Sequence, residues 1–304
     1  MRIRATVAAV SGALALSALA VPAAQAADTP KVPASIAAAS QVAHSLGGTT
    51  TFASSVSGTP YELDASFSNV KVNNAKNVVV GTTAVVKVPV SFTLNHAADV
   101  DIYADDFFGG IEIYRGTDYV NAIWWFDSGD ATCSDPSGTS ASCTATIAVD
   151  PAELLNEDAG SWKAAGFAVA FNDEDLENPN LDNVGVAITD KTNSLKVQRL
   201  SKLTVNASPE PVKKGKTITV TGKLTRADWN NTKYAGLPAG QAVKLQFRKK
   251  GSSTYTTVKT IKTTTGGALK TTVKAASDGY WRYAYAGITS TAPSTATGDY
   301  VDVK

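Results

Sequence analysis

The sequence contains few of the side chains on which most enzymes depend. It has two histidines, two cysteines and one methionine, which is the initiator. A Ser-His-acid triad would have to use His96, because His44 lies in a segment that we expect to be a tail, and there is no G-x-S-x-G motif. Motifs of zinc proteases, P-loops and dinucleotide-binding turns are also absent. We therefore expect a protein that is not an enzyme, although a glycan-active hydrolase, which needs only two carboxylates, stays open.

The two cysteines, Cys133 and Cys143, enclose the segment SDPSGTSAS, whose Asp-Pro-Ser-Gly portion is typical of a turn. Neighbouring cysteines in an exported chain favour a disulfide, since that compartment is oxidising. Two cysteines without nearby histidines make a poor zinc site. The spacing predicts a structural disulfide across the base of a hairpin loop.

The N-terminal residues are typical of an export signal. Arg2 and Arg4 precede an apolar stretch at 7–21, and Ala24-Gln25-Ala26 matches the small-x-small pattern that signal peptidases cut. The apolar stretch is too short to span a bilayer comfortably. We predict a signal peptide at 1–26, a flexible tail at 27–48, and a secreted, monomeric protein that is either free outside the cell or held non-covalently to a surface such as the cell wall, without inserting into a membrane.

The rest of the chain has the alternation of short β-strands. Val86, Val88, Val90, Phe92 and Leu94 share one face of a segment whose other residues are mostly polar. Similar segments recur throughout 49–200 and 201–304, separated by turn residues and without a helical period. This pattern predicts an all-β fold of two tandem antiparallel Ig-like β-sandwiches, an acidic module at 49–200 and a basic module at 201–304.

Local irregularities predict finer features. A phase slip in the first strand predicts a bulge near Ser68-Asn69, and Gly109-Gly110 predicts a turn. Pro89 indicates an edge strand, or a position outside the ladder, because proline has no N–H to donate. Trp124 and Trp125 are consecutive and must point to opposite faces, which places Trp124 in the core and Trp125 on an outer surface.

The second module resembles a known kind of domain. Its segments KLTVNASPEPVKKGKTITVTGKL, GQAVKLQFRKKGSSTYTTVKTIKTTTGGALKTTVKA and DGYWRYAYAG are similar to bacterial Ig-like modules of secreted actinobacterial proteins. The first module, with AVVKVPVSFTL, IEIYRG and GSWKAAGFAV, looks like a companion domain of the same proteins. The resemblance implies the fold and export, and some of these proteins carry a calcium-binding label. It implies no catalytic residues.

The two modules carry opposite charge. Residues 27–202 contain 22 acidic and 10 basic residues, a net charge of −12, and residues 203–304 contain 16 basic and 5 acidic residues, a net charge of +11. Such excess charge favours solubility, and lysine on strands deters edge-to-edge aggregation. It also suits an anionic cell-wall polymer, whereas an exported protein seldom meets nucleic acid. The candidate ligand-binding residues lie on the polar face of predicted strands: Lys244, Arg248, Lys249, Lys250, Lys270 and Lys274.

Two further ligands are possible from composition alone. Trp125, Tyr119 and Trp229 could offer flat aromatic faces to sugar rings, which makes a carbohydrate-binding module an alternative. Closely spaced carboxylates could bind calcium, although the loop at 172–184 departs from the EF-hand pattern where its glycine and closing glutamate belong. The candidate calcium ligands fall into two clusters: Asp173, Asp175, Glu177 and Asp182; and Asp99, Asp101, Asp105 and Asp106.

Overall fold

The computed structural model of the chain describes residues 34–45, 58–129, 131–176 and 178–304, and the predicted signal peptide at 1–26 lies outside them. Helix α1 (Ala34–Ser45) precedes the first sandwich. The strands of that sandwich are β1 (Tyr61–Glu62), β2 (Ala65–Val72), β3 (Val78–Val80), β4 (Val86–His96), β5 (Phe107–Gly116), β6 (Ala122–Asp127), β7 (Thr132–Ser134), β8 (Ser140–Val149), β9 (Gly160–Ala170) and β10 (Gly185–Arg199).

These strands form two facing sheets. One has the order β1-β10-β9-β5-β6, with β3 also beside β10, and the other has the order β2-β4-β8-β7. Neighbours are antiparallel, except that β1 and β3 run parallel to β10. The alternation of β4 explains the core, because Val88, Phe92 and Leu94 are buried while Lys87 and Pro89 face solvent. Burying each large side chain contributes about 1.5–3 kcal/mol.

The second sandwich follows at once. Its strands are β11 (Ser201–Leu203), β12 (Asn206–Ser208), β13 (Thr217–Asp228), β14 (Lys233–Gly236), β15 (Ala242–Lys249), β16 (Thr256–Lys262), β17 (Ala268–Lys274), β18 (Gly279–Tyr285), β19 (Ser294–Thr295) and β20 (Asp299–Val301). One sheet has the order β11-β13-β12, with β14 and β17 also beside β13; the other has the order β16-β15-β18-β19, with β20 also beside β18. The buried Tyr283 hydroxyl donates to the Val220 carbonyl at 2.9 Å across the core. The predicted all-β sandwich fold is confirmed.

The two sandwiches are joined by more than a linker. A single residue, Leu200, separates β10 from β11, and its N–H donates to the Val80 carbonyl at 2.8 Å. Trp229 of the second sandwich is 4% exposed and packs with the core of the first, and its Nε1 donates to the Gly81 carbonyl at 2.8 Å. Asn156 Nδ2 donates to Asp228 Oδ1 at 2.7 Å, which lowers the pKa of that carboxyl. The interface therefore combines apolar burial with hydrogen bonds between the two sandwiches.

Part of the predicted flexible tail is ordered. The prediction for 27–48 is wrong over 34–45, which form α1, while 27–33 and 46–48 lie outside the described residues. Ala39, Val42 and Ala43 are buried against the outer face of the larger first sheet. The helix has little amphipathic character of its own. Its stability therefore depends on packing against this sheet face, which includes the aromatic residues Tyr114, Tyr119 and Phe167. Within the described residues, no helix has the length and apolar character that a membrane crossing requires.

One local prediction fails, and another is met in the second of its two forms. Gly109 and Gly110 lie inside β5 and form no turn. The strand has glycine at 110 because a Cβ atom there would collide with the Ser128 hydroxyl. Pro89 lies in β4, which is a central strand, but β2 ends at Val72 opposite Val90. Proline is tolerated there because the neighbouring ladder has already ended.

The predicted disulfide is confirmed. Cys133 of β7 and Cys143 of β8 are directly paired in the ladder and bonded, with a Cα–Cα distance of 4.1 Å. The bond attaches a three-residue edge strand, β7, to a central strand of its sheet. It therefore closes the hairpin loop between these strands and limits fraying of the sheet edge.

Replacing both cysteines, Cys133→Ala with Cys143→Ala, is expected to lower the free energy of unfolding by about 2–3 kcal/mol, because the unfolded chain gains loop entropy. Urea denaturation of the oxidised wild-type and variant proteins measures the difference. A reducing agent should destabilise the wild type by the same amount and leave the variant unchanged. Equal stability of the oxidised wild type and the variant would contradict a stabilising role.

Candidate ligand-binding site

The strand register places the acidic loops at the end of the first sandwich that is remote from the second. In the first sandwich, Val197 of β10 pairs with Gly160 next to the second sandwich, whereas Gly185 pairs with Ala170 at the remote end. The connections at 97–106, 135–139 and 171–184 therefore share that remote end, which we call the acidic end. It has no lysine or arginine in these segments, and its described carboxylates are Glu62, Asp64, Asp99, Asp101, Asp105, Asp106, Asp135, Asp173, Glu174, Asp175 and Asp182.

The second sandwich has the opposite arrangement. Lys274 pairs with Thr217, and Gly279 pairs with both Lys249 and Val301, so these strand ends lie together, remote from the first sandwich. We call this part, with its loops, the basic end. Its cationic residues are Lys213, Lys214, Lys216, Arg248, Lys249, Lys250, Lys274 and Lys304. Eight of the 16 basic residues in 203–304 thus lie at the end of the second sandwich that is remote from the first.

A groove of about 440 Å³ lies at the basic end. Four lysines line it: Lys214, Lys249, Lys250 and Lys304. Asp278 is also in the groove; its Oδ1 accepts from the Val303 N–H at 2.9 Å, and its Oδ2 lies 3.6 Å from Lys250 Nζ. Among the described residues, the other three lysines form no ion pair with a carboxylate. The groove therefore carries excess positive charge.

Tyrosine and carboxylate neighbours adjust the charge of this groove. A hydrogen bond with the Tyr300 hydroxyl, together with the charge of Asp278, raises the pKa of Lys250. The hydrogen bond from the Val303 N–H, followed by Tyr300 and Lys250, lowers the pKa of Asp278. Both groups are accordingly charged at neutral pH, and Asp278 fixes one lysine at the edge of the groove.

The structure divides the basic residues predicted from sequence. Arg248, Lys249 and Lys250 come together at the basic end. Lys274, at the end of β17 in the other sheet, also lies at the basic end, whereas Lys244 on β15 and Lys270 on β17 lie farther along their strands. The outer faces of two sheets in a sandwich point away from one another. The predicted residues therefore do not share one cationic sheet face, and the basic end is where positive charge is concentrated.

Sequence reasoning missed several residues of this site. Lys214 and Lys304 reach the groove from segments distant in the chain. Tyr280 and Arg282 lie in β18 on the face opposite to the buried Trp281 and Tyr283. The alternation of YWRYAYAG contained that signal, because a strand with aromatic residues on both faces leaves half of them outside the core.

Three of the predicted calcium ligands, Asp101, Asp106 and Asp182, and the neighbouring Glu174 accept hydrogen bonds from backbone or amide N–H groups. Asp106 Oδ2 accepts from the Asp173 N–H at 2.6 Å, and Asp182 Oδ1 accepts from the Thr59 N–H at 2.8 Å. The Asn183 amide and the Asn180 N–H bind Glu174 and lower the pKa of that carboxyl. Among the described residues, which exclude Glu177, no three His, Cys, Asp or Glu side chains gather as a metal site.

Trp125 does not form the open surface predicted for it. The parity prediction is confirmed, because Trp124 packs on the core between the sheets and Trp125 on the outer face of the larger one. However, the His44 ring of α1 covers Trp125 with a centroid distance of 4.1 Å. A sugar ring cannot stack on Trp125 while α1 occupies that position.

Among the described residues, both histidines have polar contacts with carboxylates, and His96 also contacts a backbone carbonyl. His44 Nε2 contacts Glu112 Oε2 at 2.8 Å. His96 Nε2 contacts Asp135 Oδ2 at 2.9 Å, and its Nδ1 contacts the carbonyl of Ala97. A triad needs a hydroxyl or thiol on the second ring nitrogen. These contacts are those of structural histidines.

Comparison with known proteins identifies no close relative. No family model and no curated protein matches the chain. Among solved structures, the adhesin InvE of Yersinia pseudotuberculosis is 11% identical with a TM-score of 0.24, covering 78% of this chain and 58% of its own. An I-band fragment of titin is 12% identical with a TM-score of 0.32, covering 79% and 65%. A fragment of intimin is 14% identical with a TM-score of 0.23, covering 77% and 98%. We draw no functional conclusion from likenesses at this level.

Proposed function

We propose that this chain is a secreted, non-catalytic binding protein that holds an anionic polymer of the cell wall at its basic end. The lysine-lined groove carries the proposal, since Lys214, Lys249 and Lys304 lack carboxylate partners among the described residues. Unpaired, solvent-accessible cations attract a polyanion at little desolvation cost. The export-signal pattern at 1–26 and the Cys133–Cys143 disulfide support an extracellular location.

The division of charge supports a defined orientation on such a polymer. The basic end would face the polymer, and the acidic end, at the other extremity of the chain, would be repelled by it. Calcium is not part of the proposal, because the acidic loops already use Asp106, Glu174 and Asp182 as acceptors for their own N–H groups.

Co-sedimentation with purified wall fractions tests the function. The variant Lys214→Gln/Lys249→Gln/Lys250→Gln is expected to bind about tenfold more weakly, because three ionic contacts of modest strength are lost. The matched control Lys223→Gln/Lys233→Gln/Lys262→Gln removes the same charge from exposed positions outside the basic end and should bind like the wild type.

Salt provides an independent measurement. Raising the salt from about 50 mM to about 500 mM should weaken wild-type binding at least about tenfold, because the Debye length falls about threefold and the lysine charges are screened. Equal loss in both triple variants would mean that total charge, not the basic end, determines binding. Binding that is absent or insensitive to salt would contradict the proposal.

A further inference from the structure

Aromatic and guanidinium side chains form a row on one outer face of the second sandwich. Tyr300, Tyr280 and Arg248 are cross-strand neighbours on β20, β18 and β15. The Tyr280 and Tyr300 ring centroids are 5.1 Å apart, and the Arg248 guanidinium lies 4.1 Å from the Tyr280 ring centre. All three side chains are half-buried. We call these residues, with Tyr255 and Arg282, the tyrosine row.

Tyr255 belongs to the loop between β15 and β16, and its ring contacts the arginines of the same face. The Arg282 guanidinium is 3.6 Å from its ring centre and that of Arg248 is 5.2 Å away. Its hydroxyl lies against Gly298, where a Cβ atom would be 2.1 Å from the oxygen. Glycine at 298 therefore leaves the space that the Tyr255 hydroxyl occupies.

The stacked arginines keep donors at their edges. Arg282 Nε donates to Gln246 Oε1 at 2.8 Å, and Arg248 Nη1 donates to the Ser252 carbonyl at 2.6 Å. Among the residues that the structure describes, neither arginine forms an ion pair with a carboxylate. A guanidinium stacked on a ring directs its remaining N–H groups parallel to that ring. These groups can donate to hydroxyl or anionic oxygens of a ligand lying on the row.

The tyrosine row is continuous with the lysine-lined groove. Lys250 Nζ lies 5.7 Å from the Tyr300 ring centre, and the Tyr300 hydroxyl donates to Asp278 Oδ2 at 3.3 Å. Both Lys250 and Asp278 line the groove. A polymer that leaves the groove past Tyr300 therefore meets Tyr280 and the two arginines next.

We infer that the tyrosine row is a subsite for sugar rings, and that the ligand is a glycan with anionic groups along its chain rather than a bare polyanion. Arg248 packs over the Tyr280 ring, so the exposed edges of the half-buried tyrosines, rather than an open ring face, would contact the apolar face and the hydroxyls of a sugar. The row places tyrosine rings beside concentrated positive charge. The cationic groove alone would not distinguish a glycan with anionic groups from a bare polyanion. This inference rests on the proposed function of the basic end.

Titration calorimetry with two probes tests the inference. Polygalacturonate carries charge on sugar rings, and inorganic polyphosphate carries charge without them. The wild type should bind polygalacturonate about tenfold more tightly at equal charge concentration. The variant Tyr280→Leu/Tyr300→Leu keeps apolar bulk but has no flat ring, and should lose this preference while its affinity for polyphosphate stays that of the wild type.

The outcomes separate this inference from the proposed function. The Lys214→Gln/Lys249→Gln/Lys250→Gln variant should bind both probes more weakly. An unchanged preference in the leucine variant would overturn the sugar subsite alone, and a wild type that binds neither probe would overturn both. If the leucine variant does not fold, the NMR signals of the Tyr280 and Tyr300 rings in the wild type provide the test. Signals that shift on adding polygalacturonate but not on adding polyphosphate support the subsite. Identical shifts with both probes overturn it.

Discussion

Replacing Trp229 with alanine is expected to lower the free energy of unfolding by about 3–5 kcal/mol, among the largest effects that one substitution can have in this chain. The indole is 4% exposed and packs with the core of the first sandwich, although it belongs to the second. Its loss opens a cavity at the interface and leaves the Gly81 carbonyl without its donor. Differential scanning calorimetry should show two separate transitions in Trp229→Ala where the wild type shows one.

A conservative variant separates the two contributions. Trp229→Phe keeps most of the apolar contact and loses the N–H donor, so we expect a smaller loss of about 1–3 kcal/mol. A Trp229→Ala protein that unfolds at the wild-type temperature in one transition would contradict the interface, because the sandwiches would then be stable without one another.

The second large effect is expected at the docked helix. In His44→Ala, α1 should detach from the first sandwich, and the free energy of unfolding should fall by about 3 kcal/mol. Glu112 is fully buried beneath α1, where Ser40 Oγ donates to Oε1 at 2.5 Å and His44 Nε2 contacts Oε2 at 2.8 Å. Without His44 the buried carboxylate of Glu112 loses a hydrogen-bond partner, so the helix leaves and water reaches Glu112. Hydrogen exchange of residues 38–44 measures the detachment.

Two variants control for the loss of the ring itself. Glu112→Gln keeps a hydrogen-bonding group without the charge, so α1 should retain more protection than in His44→Ala. The double variant His44→Ala/Glu112→Leu removes the buried charge altogether and should recover part of the stability, because a buried ion pair can often be replaced by apolar groups. Full protection of α1 in His44→Ala would show that the helix is docked by its apolar face alone.

Several structural features were predictable from local pattern. The phase slip of the first strand predicted a bulge at Ser68-Asn69, and the ladder between β2 and β4 shifts register between Ser68 and Lys71, with Asn69 in a left-handed conformation. Sequence also predicted the opposite directions of Trp124 and Trp125 and the Cys133–Cys143 disulfide. Each depends on the two-residue period of a strand or on a short span of chain, both of which are visible in sequence.

The candidate site was predictable only in part. Charge counting located positive charge in 203–304, and alternation placed Arg248 on an outer face. The groove also needs Lys214 and Lys304, and the tyrosine row needs Tyr300, which pairs with Tyr280 across β18 and β20. These residues meet because several strand ends converge, and no local pattern records which loops share an end.

By itself, the sequence determined the all-β class, the division of charge and the disulfide, because strand period, composition and short-range closure are local properties. Tertiary structure alone decided that Trp229 is an interface residue, that α1 covers Trp125, and that Gly109 and Gly110 continue a strand. It also decided that the acidic loops gather at one end of the first sandwich and the basic loops at one end of the second. Those outcomes depend on which surfaces meet, and contacts between residues distant in sequence set them through packing and hydrogen-bond satisfaction.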